Sequence, residues 1–245
     1  MKLALSVLQI KDEEKLKSIK YLDVDYIHLD IMDGIFVPNK TDDISDIIKT
    51  LDKPIDVHLM VSDVISYINK YALLHPEFIT FHVEAVKDPI EIINYIKSKN
   101  IKAGISIKPN TSIDEIKDYL DLVDLVLVMS VEPGYGGQKY LDSATNKIKK
   151  LKAYNGNFKI EVDGGINLNT MNKVKEAGAD ILVAGTAILM ARDYGEIIRE
   201  LRDIWGRFLN VPKGQIRTVP KCPKRGGIYE KIRNSSICTT SRMSK

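Results

Sequence analysis

Cysteine is nearly absent from this chain, with two in 245 residues, Cys222 and Cys238. Both stand near the C-terminus without C-x-x-C spacing. That argues against a disulfide framework and leads us to expect a reducing, cytoplasmic setting. Long hydrophobic runs are also missing. None approaches the ~18 residues of a membrane-crossing helix, so no membrane partner is expected. Strand-like sequence begins at once with Leu3-Ala4-Leu5-Ser6-Val7-Leu8, so no signal or transit peptide is expected. No glycine pattern matches a P-loop or a dinucleotide fingerprint, which argues against a nucleotide cofactor.

Net charge is small, +3, but unevenly spread. Residues 211–245 hold nine Lys and Arg against one acid, Glu230, a net of +8, which leaves 3 − 8 = −5 for residues 1–210. The same stretch holds Pro212, Pro220, Pro223 and Gly226-Gly227 with few large apolar residues. It reads as a basic, disordered C-terminal extension. Basic clusters of this kind suit nucleic acid, while a solvated extension is the plainer reading.

What is present is a regular alternation. Apolar runs at 3–8, 24–31, 55–60, 78–83, 101–107, 122–130, 158–163 and 180–184 are separated by helical patterns. Those lie at 12–20, 42–51, 62–73, 88–99, 112–120, 143–153, 168–177 and 193–209. The runs are rich in Val, Ile and Leu with little alternation, as in strands buried on both faces. Eight βα units predict one α/β domain over residues 1–210, a closed (β/α)₈ TIM barrel. An open doubly wound sheet is the alternative, but it ordinarily needs roughly five units.

Polar residues interrupt these runs in one way. His28 and Asp30 end the second run, Asp56 and His58 the third, and Glu161 and Asp163 the seventh. Positions two apart on a strand share a face. In a parallel barrel, groups at the C-terminal strand ends gather at one rim. Two His and two Asp there, His28, Asp30, His58 and Asp163, could hold one divalent metal or set carboxylates around a substrate. Such ligands suit Zn²⁺, Fe²⁺, Mn²⁺ or Co²⁺. His82 reads as a second-layer or core residue, His75 as surface, and Asp33 as shaping the turn at Gly34. Three glycine-bearing stretches follow strands six to eight: Gly134-Tyr135-Gly136-Gly137, Asp163-Gly164-Gly165 and Gly185-Thr186. Loops there form the common barrel phosphate site, which implies a small phosphorylated substrate. Met32, Met60 and Met129, at three strand ends, could wall off a reactive intermediate.

The motifs Leu5-Ser6-Val7-Leu8, His28 through Asn39, Asp56 through Met60, Ala103 through Thr111, Met129 through Gln138 and Glu161 through Asn167 stand in one order. On these, roughly residues 2–190 resemble ribulose-phosphate 3-epimerases. The resemblance implies a (β/α)₈ barrel with one divalent metal per subunit and a homo-oligomer. The implied activity is C3 epimerisation of D-ribulose 5-phosphate to D-xylulose 5-phosphate in the pentose phosphate pathway. It implies His28, Asp30, His58 and Asp163 as ligands, with Asp30 and Asp163 also the acid/base pair acting through a metal-stabilised cis-enediolate. Ser6, His58, the three glycine stretches and the three methionines match its substrate-facing positions. Gln9-Ile10-Lys11, Asp42-Asp43-Ile44 and Asp63-Val64 depart from the pattern without removing a chemical group. A six-carbon sugar phosphate such as D-allulose 6-phosphate remains an alternative substrate. A barrel decarboxylase of the orotidine-phosphate type would need Asp-x-Lys-x-x-Asp at a strand end, which no strand carries.

Overall fold

A computed structural model describes residues 1–206. The expectations for residues 211–245 lie outside the described residues. Eight strands, β1 (Lys2–Ser6), β2 (Tyr26–Met32), β3 (Ile55–Met60), β4 (Phe78–His82), β5 (Lys102–Ile107), β6 (Leu125–Met129), β7 (Lys159–Asp163) and β8 (Ile181–Ala184), follow the expected runs. Each pairs in parallel with its sequence neighbours, and β1 also pairs with β8, closing the barrel. The open-sheet alternative is thereby excluded.

Around the barrel lie α1 (Glu13–Ser18), α2 (Ser45–Ile48), α3 (Val64–Ala72), α4 (Pro89–Ser98), α5 (Ser143–Tyr154), α6 (Met171–Ala177), α7 (Thr186–Leu189) and α8 (Tyr194–Gly206). Several starts are set by an aspartate whose carboxylate accepts first-turn N–H groups: Asp12 for α1, Asp63 for α3 and Asp88, ahead of Pro89, for α4. Asn100 and Gly178 take positive φ where helices give way to strands, which β-branched residues resist. The helix expected over 112–120 is instead two 3₁₀ turns, Ile113–Glu115 and Lys117–Tyr119. The helix expected over 42–51 shrinks to the four residues of α2.

Outward strand residues such as Leu5, Leu29, Val57, Phe81, Val128 and Leu182 pack under the helices. The inner face divides. Ala4, Tyr26, Phe78, Leu125, Leu127, Ile181 and Val183 form an apolar layer. Ser6, His28, Asp30, Asp56, His58, Thr80, His82, Ser106 and Glu161 are buried polar residues of the strands. At the N-terminal rim, the residue just before a strand repeatedly satisfies a neighbouring strand. Asp25, Asp124 and Asp180 accept the backbone N–H groups of Leu3, Ala103 and Ile160 at 2.9, 2.9 and 3.0 Å. These bonds occupy donors that would otherwise be orphaned at the barrel's closed end.

The barrel interior has no slack beside Thr80. A Cβ on Gly104 would lie 2.1 Å from the Thr80 hydroxyl oxygen and 3.1 Å from a Leu125 methyl. Gly104→Ala is therefore expected to destabilise the protein by roughly 1–3 kcal/mol through overpacking. Adding Thr80→Ala should recover part of that loss. Urea unfolding of the two single variants and the double variant measures the coupling.

Candidate active site

The register of β2 against β3 sets His28 beside Asp56 and Asp30 beside His58. Each strand thus contributes one polar residue to the rim and one to the layer beneath. Strand β7 repeats the arrangement with Asp163 above Glu161. His28, Asp30, His58 and Asp163 each place a ligand-type atom so that all four lie within 4.8 Å of one another. Oδ1 of Asp30 sits 3.4 Å from His28 Nε2 and 3.2 Å from His58 Nδ1, and its Oδ2 accepts the Ser6 hydroxyl at 2.8 Å.

The donor set fits a divalent cation. His28 Nδ1 lies 2.6 Å from Asp56 Oδ2, and an ionised carboxylate can only accept, so Nδ1 carries the hydrogen. Once the ring gives up its second proton, Nε2 has a lone pair, and this buried atom has no hydrogen-bond partner among the described residues. Carboxylate-oriented imidazoles with one bare nitrogen are the usual form of a metal-binding histidine. Burial acts to lower the His28 pKa, but Asp30 and Asp56 outweigh it and hold the ring well above its ordinary value. A position that favours positive charge this strongly is one a metal ion can take over from a proton.

The two rim carboxylates are driven apart. Burial works to raise Asp30, yet His28 and His58 hold it far below the usual carboxylate range. Burial and the nearby charge of Asp30 push Asp163 up to about 6. Beneath them, burial and Asp56 push Glu161 well above its ordinary value. Asp56 and Glu161 were legible as the partners two residues before His58 and Asp163, yet sequence reasoning gave them no role.

The structure places the remaining candidates around one cleft. Ser6, Met32, Met60 and Met129 line it with Asp30 and Asp163, while His28 and His58 lie buried behind. Gly134 to Gly137, Gly164, Gly165, Gly185 and Thr186 line it from the loops after β6, β7 and β8. Gly165 is irreplaceable on two counts. Its φ is +64°, and a Cβ would lie 2.4 Å from the backbone nitrogen of Tyr140. Thr186 donates to Gln9 Oε1 at 3.0 Å, and Gln138 holds the β6 loop closed through the carbonyl oxygens of Glu132 and Tyr135 at 2.6 and 2.9 Å. Gln9 is one of the positions departing from the family pattern, and it too lines the cleft.

Asp33 shapes the turn as expected. One oxygen accepts the N–H groups of Ile35 and Phe36, the other the N–H and hydroxyl of Ser62. Burial opposes ionisation, but these bonds hold the carboxyl down to about 2. His75 is exposed, in a connection at positive φ. His82 is buried with its ring centroid 5.0 Å from that of His58. Burial pushes its pKa down to about 4, so the ring is neutral. Among the described residues no helix is long and apolar enough to cross a membrane.

The ribulose-phosphate 3 epimerase family matches residues 2–189. A ribulose-phosphate 3-epimerase of Methanocaldococcus jannaschii is 43% identical over 204 residues, spanning 80% of this chain and 86% of the relative. One from Bacillus subtilis is 38% identical over 196 residues, spanning 77% and 90%. Among solved structures, KGPDC from Streptococcus mutans superposes with a TM-score of 0.65 at 17% identity, over 85% of this chain and 99% of that one. That likeness concerns the fold alone.

Proposed function

This chain belongs to the ribulose-phosphate 3 epimerase family, and we propose that it interconverts D-ribulose 5-phosphate and D-xylulose 5-phosphate by a two-carboxylate proton transfer at C3. The carrying observation is the pair Asp30 and Asp163. They sit in one cluster, Asp30 buried and Asp163 partly so, with pKa values displaced in opposite directions. Inverting a carbon beside a ketone requires a proton to leave one face and another to arrive on the opposite face. An ionised carboxylate takes the first. A carboxyl group near neutrality can hold and release the second, and a catalytic pKa near the working pH serves best. The two carboxyls titrate as a linked pair in performing this exchange.

His28, Asp30, His58 and Asp163 are the residues proposed to hold Zn²⁺, Fe²⁺, Mn²⁺ or Co²⁺. When bound, the cation would supply Lewis acidity toward the negative charge that develops on the substrate oxygens, worth several kcal/mol. Ser6 fixes the Asp30 carboxylate through its hydroxyl. Gly164-Gly165, Gly185-Thr186 and Gly134 to Gly137 are proposed to receive the phosphate. Their unhindered backbone permits N–H donors to approach an anion closely. Met32, Met60 and Met129 offer an apolar, polarisable face that limits water at the reacting carbon.

The test is conversion of D-ribulose 5-phosphate, measured before and after chelation and with each of the four cations restored singly. Turnover that is lost on chelation and regained with a cation supports the reading. Folded protein that fails with every cation, yet turns over D-allulose 6-phosphate, would move the substrate to six carbons.

A further inference from the structure

His58 meets His82 through nitrogens of the same kind, Nε2 to Nε2 at 2.9 Å. They can share a hydrogen bond only if one ring carries hydrogen there and the other is bare. The far side of His82 decides which. Its Nδ1 lies 3.1 Å from Oε2 of Glu84. Oε1 of the same carboxylate accepts the Lys108 backbone N–H at 2.8 Å and the Thr111 hydroxyl. An ionised carboxylate held this way only accepts. His82 therefore carries its hydrogen on Nδ1 and leaves Nε2 bare, and His58 must donate from Nε2. The remaining nitrogen of His58, Nδ1, faces Asp30 Oδ1 at 3.2 Å, inside the ligand cluster. That carboxylate also only accepts and so draws hydrogen toward Nδ1, and the chain from Glu84 is what holds hydrogen at the opposite nitrogen.

The chain is anchored at its outer end. Lys147 Nζ donates to the carbonyl oxygens of Lys108 and Pro109, each at 2.8 Å, which steadies the loop after β5. The Phe36 ring packs 5.0 Å from that of His82, and Lys108 Nζ lies 4.0 Å from the Phe36 ring on that same loop. His28 has its orienting carboxylate, Asp56, in direct contact. For His58 the orienting carboxylate stands one residue further away, with His82 as the intermediary.

We propose that Glu84 is a positioning residue: acting through His82, it keeps hydrogen on Nε2 of His58 and so reserves Nδ1 for a divalent cation. This rests on the reading of His58 as a metal ligand given above. It also assigns a purpose to Lys108 and Thr111, in the stretch Lys108-Pro109-Asn110-Thr111 whose backbone and hydroxyl donors fix the polarity of Glu84.

Glu84→Gln tests it with nearly unchanged shape. The Lys108 N–H can only donate, so the new amide must turn its oxygen toward the loop and its NH₂ toward His82. His82 Nδ1 then has to accept, its hydrogen moves to Nε2, and His58 is left bare at Nε2 with hydrogen on Nδ1. In the full-length, chelated protein, ¹⁵N–¹H correlation of the histidine rings should show hydrogen on His58 Nε2 in the parent chain and its absence there in Glu84→Gln. Zn²⁺ affinity, read by competition with a chromophoric chelator, should fall about 10–100-fold. Thr111→Val, which loosens the loop without reversing the chain, should keep both properties. His82→Leu serves as a second variant, with His58 no longer held to one arrangement and affinity again reduced. A parent protein with His58 Nε2 bare, a Glu84→Gln spectrum unchanged from the parent, or equal affinity losses in Thr111→Val and Glu84→Gln would each overturn the proposal. A moved hydrogen with unchanged Zn²⁺ affinity would uphold the orienting chain and instead remove His58 from the ligand set.

Discussion

Asp163→Asn is expected to lower epimerisation of D-ribulose 5-phosphate by about 10²–10⁴-fold, the ordinary range for loss of a positioned acid or base. The amide keeps the size of the carboxyl and can still offer an oxygen to a cation, but it cannot exchange a proton. The comparison must therefore be made on protein shown by metal analysis to be loaded. Near-normal turnover of loaded Asp163→Asn would remove Asp163 from the acid/base pair.

A more discriminating result is available from the same variant in D₂O. With one carboxylate on each face, each epimer surrenders its C3 proton to a different residue. Loss of Asp163 leaves Asp30, which Ser6 and the two imidazoles hold ionised. Asp30 can still remove and return a proton on its own face. One pentulose phosphate should then take up deuterium at C3 without inverting, while the other neither exchanges nor inverts. Asp30→Asn should reverse which epimer exchanges, provided it still holds metal. Exchange of both epimers in either variant would point to a single base serving both faces.

The parts of this site that could be read from the chain are those set by period. Strand alternation put His28 with Asp30 and Glu161 with Asp163 on shared faces, and parallel-barrel geometry put their ends at one rim. The eight strands were legible because buried parallel strands leave continuous Val, Ile and Leu runs. The segment 112–120 was misread because Ile113, Ile116 and Leu120 satisfy a three-to-four spacing that 3₁₀ turns also satisfy. In the structure Ile116 N–H bonds to Ile113 and Tyr119 N–H to Ile116, both three residues back. Contacts between neighbouring strands and loops were not legible. Nothing in the sequence around Glu84 indicates that Lys108 and Thr111 will fix its polarity, because that pairing depends on the barrel placing β4 against β5. The role of Gln9 was hidden likewise, since its partner Thr186 lies at the other end of the described chain.

Adding saturating Zn²⁺ to the chelated protein should raise the midpoint of thermal unfolding by roughly 5–16 °C at pH 7. A ligand at 100 to 1,000 times its dissociation constant contributes about 2.7–4.1 kcal/mol, and each kcal/mol shifts a chain of this size by about 2–4 °C. The increment should shrink as pH falls from 7 to 5, and the sign follows from two groups. Asp163 is raised to about 6 by burial and by Asp30, against an ordinary 3.8. Between those values the folded, metal-free protein holds a proton that the unfolded chain releases, so this group makes the metal-free fold more stable as pH falls through 6. His28, raised well above 6.5 by Asp30 and Asp56 against the effect of burial, acts in the same sense. Its contribution is full below 6.5 and disappears as pH rises through the raised value. A cation must displace both protons, so it binds more weakly and adds less where they are held most firmly. Asp30 titrates too far below this window to oppose the trend. Scans of chelated and zinc-loaded protein at pH 5, 6, 7 and 8 decide the matter. An increment that stays constant across that range would mean that the cation does not compete for the protons of Asp163 and His28, and would place it outside the cluster they form.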